Sequence, residues 1–253
     1  YEIYVNDVLV HFSFTTGQTA GEQNIDMPQY ILKSGKQTIR YKIYPKAIQD
    51  GVLEEMLDPN AKFTIRIVHG EYYKESFDSF KEDLNLTLPK LEVSVPFFEF
   101  SSTFMATVPY ELKGWSEGVD LSKEDSKELE KEVLLKMQEI KKNYENKDIE
   151  AIDKLQYGYL KEYYQAMYFT DKKNSEEWLI NINEDLVDNY KYVLDTNDMD
   201  LVLMGNKKIV ALLQKNGEFK NDSAFLGISK ESYNFYKFLL YRPKPGAPLE
   251  VIR

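Results

Sequence analysis

Apolar residues recur through the middle of the chain at steps of three and four. Leu129, Val133, Met137, Ile140 and Tyr144 form one such series, and that spacing lines a single face of a helix. Leu134 widens the stripe. Ser122 to Asp125 supply side-chain oxygens for the orphan amides of a helix start, and Glu124, Asp125 and Glu128 sit where the dipole favours negative charge. Lys141 and Lys142 fall in the last turns, and Asn146 and Lys147 mark a break. A second helix is predicted from Asp148, with Ile149, Ile152, Leu155, Tyr159, Tyr163 and Met167 on one side. Leu160, Tyr164 and Tyr168 fill the neighbouring face. Two adjacent apolar faces predict burial on more than one side. After a polar stretch over 171–175, Ser175 is placed to cap a third helix carrying Trp178, Ile182, Leu186 and Val187.

Before residue 120 the period changes to two. Ile39, Tyr41 and Ile43 alternate with Thr38, Arg40 and Lys42, and Phe63, Ile65 and Ile67 repeat the pattern, as half-buried strands do. Strands are also expected over 1–5, 8–14, 30–32, 90–95 and 103–110, with Asn6-Asp7 and Ser34-Gly35 as turns. Short strands between turn signals predict a β-sandwich over 1–119, closed by a linker at 111–121. After the helices, 199–204 and 207–214 read as a hairpin around Gly205-Asn206. Residues 224–228 form another strand, 233–241 are apolar on both faces and so read as a central one, and 249–253 return as the last. The predicted fold class is mixed. An N-terminal all-β sandwich precedes an α+β domain over 120–253, in which three helices pack on a curved antiparallel sheet.

Composition narrows the function classes. Of 253 residues 43% are hydrophobic, enough for a substantial core. No apolar run reaches the roughly 18 residues of a membrane-spanning helix. Cys is absent, so thiolate ligands and a cysteine nucleophile are excluded. The net charge of −10 opposes general nucleic-acid binding, which needs a basic face. The charge is uneven: residues 145–200 hold 14 Asp or Glu against 6 Lys, a net of −8. Absent cysteine and a first residue other than Met suit a bacterial protein of the periplasm or cell envelope whose leader has been removed, or a secreted one.

Residues 144–152 (YENKDIEAI), with a sheet ending at 249–252 (LEVI), resemble the nuclear-transport-factor-like, or SnoaL-like, cone fold. In that family a helix hairpin packs on a curved sheet and can enclose a pocket. Its members include enzymes, binding modules and toxin-immunity domains, and the resemblance implies such a cone over 122–253. The family's catalytic His/Asp pairing has no counterpart, because His11 and His69 both lie in the first half. Residues 30–39 (YILKSGKQTI) loosely resemble Ig-like or jelly-roll accessory domains.

Candidate chemistry is sparse. His11 and His69 lie far apart with no motif around either. Asp195, Asn197, Asp198 and Asp200 offer oxygen ligands, but Met199 and Asp200 occupy the fifth and sixth positions, where a calcium loop needs a ligand and a glycine. The neighbouring carboxylates Glu184 and Asp185 do not face one another as glycoside cleavage requires. No catalytic residue, cofactor or metal site is therefore expected, and the chain does not read as an enzyme. The 19 Tyr stand out, since Tyr is enriched at recognition surfaces. Beside acidic helices they suggest a partner-binding face made by Tyr164, Tyr168, Glu176, Glu177, Trp178, Glu184 and Asp185. The expected partner is a protein, in one version a basic toxin domain that this chain neutralises. Two alternatives are a small-molecule or enzymatic pocket in the C-terminal cone, using Tyr164, Tyr168, Asp200 or Tyr236, and carbohydrate binding by the N-terminal sandwich.

Overall fold

The computed structural model describes residues 1–14, 16, 23–70, 79–167 and 190–253. In chain order its first strands are β1 (Glu2–Val5), β2 (Val8–Phe12), β3 (Gly35–Ile43), β4 (Ala47–Gln49) and β5 (Val52–Leu53). Next come β6 (Thr64–His69), β7 (Lys81–Thr87) and β8 (Phe98–Ala106), then helices α1 (Ser126–Glu145) and α2 (Ile149–Ala166). The remaining strands are β9 (Lys191–Leu194), β10 (Met199–Met204), β11 (Ile209–Gln214), β12 (Phe225–Ile228), β13 (Tyr233–Phe235), β14 (Leu240–Tyr241) and β15 (Glu250–Val251).

Asn6 and Asp7 both take positive φ (50° and 64°), the backbone twist that a two-residue hairpin between right-twisted strands needs. They set Val5 opposite Val8 in the β1–β2 pair. β3 joins β1 on its other side, and β8 pairs with β3 in unbroken register from Gly35/Ala106 to Ile43/Phe98. The antiparallel sheet β2-β1-β3-β8 results. The alternation read in β3 holds: Ile39, Tyr41 and Ile43 are buried with Phe104 and with Ile67 of the β6–β7 hairpin.

The other face of the β1–β2 hairpin meets the C-terminal half. Val8 and Leu9 share a core with Trp115, Met204, Ile209, Ala211 and Leu213. The alternate residues of β11, Val210 and Leu212, face a further core with Leu129, Val133, Met137, Ile140 and Tyr144 of α1. Strand β11 is thus buried on both sides, which accounts for five consecutive buried apolar residues. Each Leu or Ile so enclosed contributes roughly 1.5–3 kcal/mol. The layers run from the β6–β7 hairpin through two sheets to the helices, and the central core draws on residues from both sides of position 120.

The helix signals were legible. Asp125 caps α1, accepting from the Lys127 and Glu128 amides at 3.0 and 3.1 Å, and Asp148 caps α2 through Ala151 at 3.0 Å. The whole predicted stripe of α1 is buried. In α2 only Ile152, Tyr164 and Ala166 are fully buried, so the expectation of two well-covered faces does not hold along its length.

The predicted fold class is overturned. Strand dominates the described chain, which contains two α-helices rather than three on a curved sheet. Residues 175–189, where the third helix is predicted, lie outside the described residues. The C-terminal strands form two small sheets, β10-β11-β14-β15 and β13-β12-β9. The predicted long strand over 233–241 breaks at 236–239 and crosses between them. Tyr236 N–H still donates to Phe225 at 3.0 Å, but by Leu239 the chain bonds Ile252 and Arg253 instead. Lys237 sits at the crossing and sends its ammonium to the Leu9 carbonyl at 3.0 Å. A cationic side chain inside an apolar run thus marks the change of sheet.

Smaller differences have local causes. The 199–214 hairpin forms, but Met204 faces Ile209 across a loop of 205–208 in which Gly205, Asn206 and Lys207 all have positive φ. The 30–32 strand is replaced by a 3-10 turn, Pro28–Tyr30, which starts at a proline. The sequence does not predict β7 because its residues, KEDLNLT, are mostly charged or polar; it pairs with β6 from Thr64/Thr87 onward. In 90–95 the described chain makes only a bridge from Leu57 to Val95.

Candidate partner-binding surface

Most of the ionic groups that the fold buries are matched to one another. Arg242 receives two carboxylates, Glu124 at 2.7 and 2.9 Å and Glu132 at 2.7 and 3.1 Å. This fork ties the end of β14 to the start of α1, and the guanidinium holds the Glu132 carboxyl below its ordinary range. Arg253 donates to Glu162 on α2 at 3.0 Å and to the Gln29 carbonyl at 3.1 and 3.3 Å, and Glu162 also accepts from the Gly114 amide.

Glu2 forms a second latch. Its carboxylate accepts from Tyr4 at 2.8 Å, Tyr44 at 3.0 Å and Asn221 at 2.8 Å. Burial alone would raise its pKa, but these hydrogen bonds and nearby Lys220 outweigh burial and hold it low. The Tyr4 and Tyr44 hydroxyls are driven up by burial and then by the Glu2 charge. One further pair is less well matched. Burial lowers Lys237 to about 8 and raises Asp222 to about 6, and each opposes the other's shift.

The predicted chemistry-bearing residues stay dispersed. His69 pairs with Asp83 at an exposed site, and His11 contacts Gln23 at 3.1 Å. Asp195 accepts from Asn197 at 3.0 and 3.1 Å, Asp198 from Asn216 at 3.1 Å, and Asp200 faces Lys215 at 3.8 Å. These contacts make a self-bonded acidic turn, and among the described residues no group of three or more His, Cys, Asp or Glu is arranged to hold a metal.

Of the residues expected in a partner-binding face, Tyr164 lies in the last turn of α2 and is buried, its hydroxyl raised to about 12 by burial. Tyr168, Glu176, Glu177, Trp178, Glu184 and Asp185 lie outside the described residues. Many tyrosines build core instead. The Tyr144 ring is 5.0 Å from Tyr192, 5.4 Å from Phe225 and 5.3 Å from Tyr236. Tyr236 therefore belongs to this aromatic core, away from surface Asp200. A shallow open depression of about 340 Å³ lies instead between the N-terminal sheets, lined by Lys36, Asp83, Thr103, Phe104 and Met105.

A different surface collects exposed apolar groups. Ile48, Val52, Met56, Val93 and Phe97 are each 44–66% exposed. They lie on two segments, 47–57 and 93–97, that meet at the end of the N-terminal sheet. The Leu57 amide donates to Val95 at 2.7 Å, and the Phe97 ring lies 6.4 Å from Tyr44, which directly follows β3. Gly51, at the tip of the β4–β5 hairpin, donates to the Phe14 carbonyl at 3.2 Å. Its φ is +74°, and a Cβ there would lie 2.1 Å from Gly217, so only glycine allows this close approach to the 217–221 loop. The Phe14 and Tyr44 rings lie beneath, tilted at 53° with centroids 5.3 Å apart, with Lys220 over both. Sequence reasoning missed this rim, although the apolar residues scattered through the polar stretch 48–56 (IQDGVLEEM) were a usable signal.

No protein family, curated protein or solved structure matches the chain. Among the described residues no helix is long and apolar enough to cross a membrane.

Proposed function

We propose that this chain is a non-catalytic, partner-binding protein. One observation carries the reading: the fold leaves a group of large apolar side chains, Ile48, Val52, Met56, Val93 and Phe97, on one rim. Scattered apolar residues on a surface are ordinary, whereas several carried by two segments that meet, among polar residues, are how an interaction site is built. The disposition of charge supports it. Arg242, Arg253 and Glu2 are spent on internal contacts that tie distant parts of the chain together, and a preorganised surface loses less entropy on binding. The acidic excess over 145–200 adds a field that draws a cationic partner in. Neutralisation of a basic toxin domain is the specific form this role takes.

The test immobilises the full chain and challenges it with extracts of its source organism at low and high salt. The expected result is retention of a basic protein at low salt, weakened at high salt and lost with Ile48→Ser/Val93→Ser. Retention of nothing at either salt would contradict the reading.

A further inference from the structure

The apolar rim has a border of carboxylates, of which Asp50 accepts from Thr16 and Asp58 from Asn60. Asp50, Glu54, Glu55, Asp58 and Glu92 are exposed around it, and among the described residues none of them forms an ion pair. Lys46 and Lys90, next to these segments in the chain, and Lys220, over the Phe14 and Tyr44 rings, are three cations against these five carboxylates. The next acidic residue, Glu99, differs in being held by Arg40 at 3.3 Å and Lys42 at 3.7 Å. Elsewhere some carboxylates find cationic partners, as in Lys141 with Glu145 and Lys136 with Glu139 on α1, while others, such as Glu130 and Glu150, are exposed singly on the helices. Here, among the described residues, all five stand without a cationic partner, beside exposed Ile, Val, Met and Phe.

We infer that the rim formed by 47–57 and 93–97 docks a protein segment that is itself both cationic and apolar, its Lys or Arg meeting the acidic border and its apolar side chains meeting Ile48, Val93 and Phe97. This rests on the partner-binding reading above and adds the surface and the chemistry of the partner. Charge decides between possible occupants. A second copy docking through a twofold would set this border against itself, and like charges across an interface are penalised. A phosphate-rich ligand or anionic surface is repelled by the same carboxylates. A purely basic segment would leave the apolar centre wet, and a purely apolar one would leave the carboxylates unmatched. The sequence demanded of the partner is therefore mixed.

The experiment uses the full chain and three fluorescent synthetic peptides of about twelve residues: alternating Lys and Phe, alternating Glu and Phe, and alternating Lys and Ser. Anisotropy titrations compare wild type with Ile48→Ser/Val93→Ser, with Glu54→Lys/Glu55→Lys, and with Glu130→Lys/Glu150→Lys. The last pair lies on the helices and changes net charge equally. All replaced side chains are exposed, and thermal melts confirm folding. The expected result is that the Lys/Phe peptide binds wild type and the helix variant alike and loses about tenfold or more in affinity, some 1.4 kcal/mol, with either rim variant. The Glu/Phe and Lys/Ser peptides bind at least tenfold more weakly than Lys/Phe. Equal binding of the Lys/Phe peptide to all four proteins, or no binding to wild type, overturns the inference. So does a concentration-dependent dimer in sedimentation that disappears with Ile48→Ser/Val93→Ser, which assigns the rim to a second copy. The extract experiment separates the two levels of the argument. Retained proteins that survive both rim variants sink this surface and leave partner binding standing, whereas an empty wild-type column sinks both.

Discussion

Replacing Arg242 by methionine tests how the helical and sheet layers are held together. Methionine keeps the apolar stem and removes the guanidinium, so packing is largely preserved. What is lost is two bidentate contacts, to Glu124 at 2.7 and 2.9 Å and to Glu132 at 2.7 and 3.1 Å, together with the hydrogen bond to the Ala247 carbonyl. Breaking a buried ion pair costs about 3–5 kcal/mol because the surviving charge has no partner. Here the surviving carboxylates are 26% and 38% exposed and recover part of that by rehydrating. The expected loss is therefore about 2–3 kcal/mol. For a chain of this size that is a fall of about 5–10 °C in Tm, read by calorimetry. The pH dependence follows from Glu132, whose carboxyl Arg242 holds below the ordinary value. A depressed folded pKa stabilises above the unfolded pKa, about 4.3, and that stability vanishes as pH falls through the folded value. The gap between wild type and variant should be full at pH 7 and shrink below about pH 4.3. Adding Glu124→Gln and Glu132→Gln to Arg242→Met should recover part of the loss. A single variant as stable as wild type, or a gap that does not close in acid, refutes the account of this fork.

Ile152 is fully buried where α2 joins the helix–sheet core, so Ile152→Ala should cost about 2–5 kcal/mol in denaturant unfolding. Gly158 lies exposed within α2, and a methyl group added there would meet nothing within 4 Å; Gly158→Ala should raise stability by about 0.5–1 kcal/mol. Gly205→Ala should do the opposite, since φ is +58° and the new carbon would lie 2.7 Å from Ile209 and 2.8 Å from Trp115; the melt should fall by at least the roughly 1–2 kcal/mol of a left-handed alanine. Burial raises Asp222 to about 6, so its ionisation opposes folding once pH passes the unfolded value near 3.9. Asp222→Asn should match wild type near pH 4, gain on it up to about pH 6 and hold that advantage until Lys237, which burial lowers to about 8, begins to titrate, as melts across this range would show.

How far the sequence could be read depends on which forces are local. The stripe Leu129 to Tyr144, the caps at Asp125 and Asp148, and the alternation of Ile39, Tyr41 and Ile43 are set within a turn or a strand, and they appear where expected. Strand β7 was hidden because KEDLNLT owes its pairing to β6 rather than to its own composition. Residues 233–241 look like one central strand because both faces are apolar, yet two separate cores claim them and the chain changes sheet at Lys237. The central strand is β11, whose five buried residues face two different cores. The site was less legible than the fold. Tyr164 reads as a recognition residue from its type, but its position in the last turn of α2 buries it. The rim needs Leu57 to meet Val95 and Phe97 to meet Tyr44, contacts between distant segments that no local period encodes.

Hydrogen exchange with and without bound partner, or with the Lys/Phe peptide, tests the central claim most directly. The account predicts slowed exchange in 47–57 and 93–97, where Ile48, Val52, Val93 and Phe97 are exposed in the free chain, with α1 and α2 unchanged. Protection confined to the helices, with both rim segments exchanging as before, would contradict it.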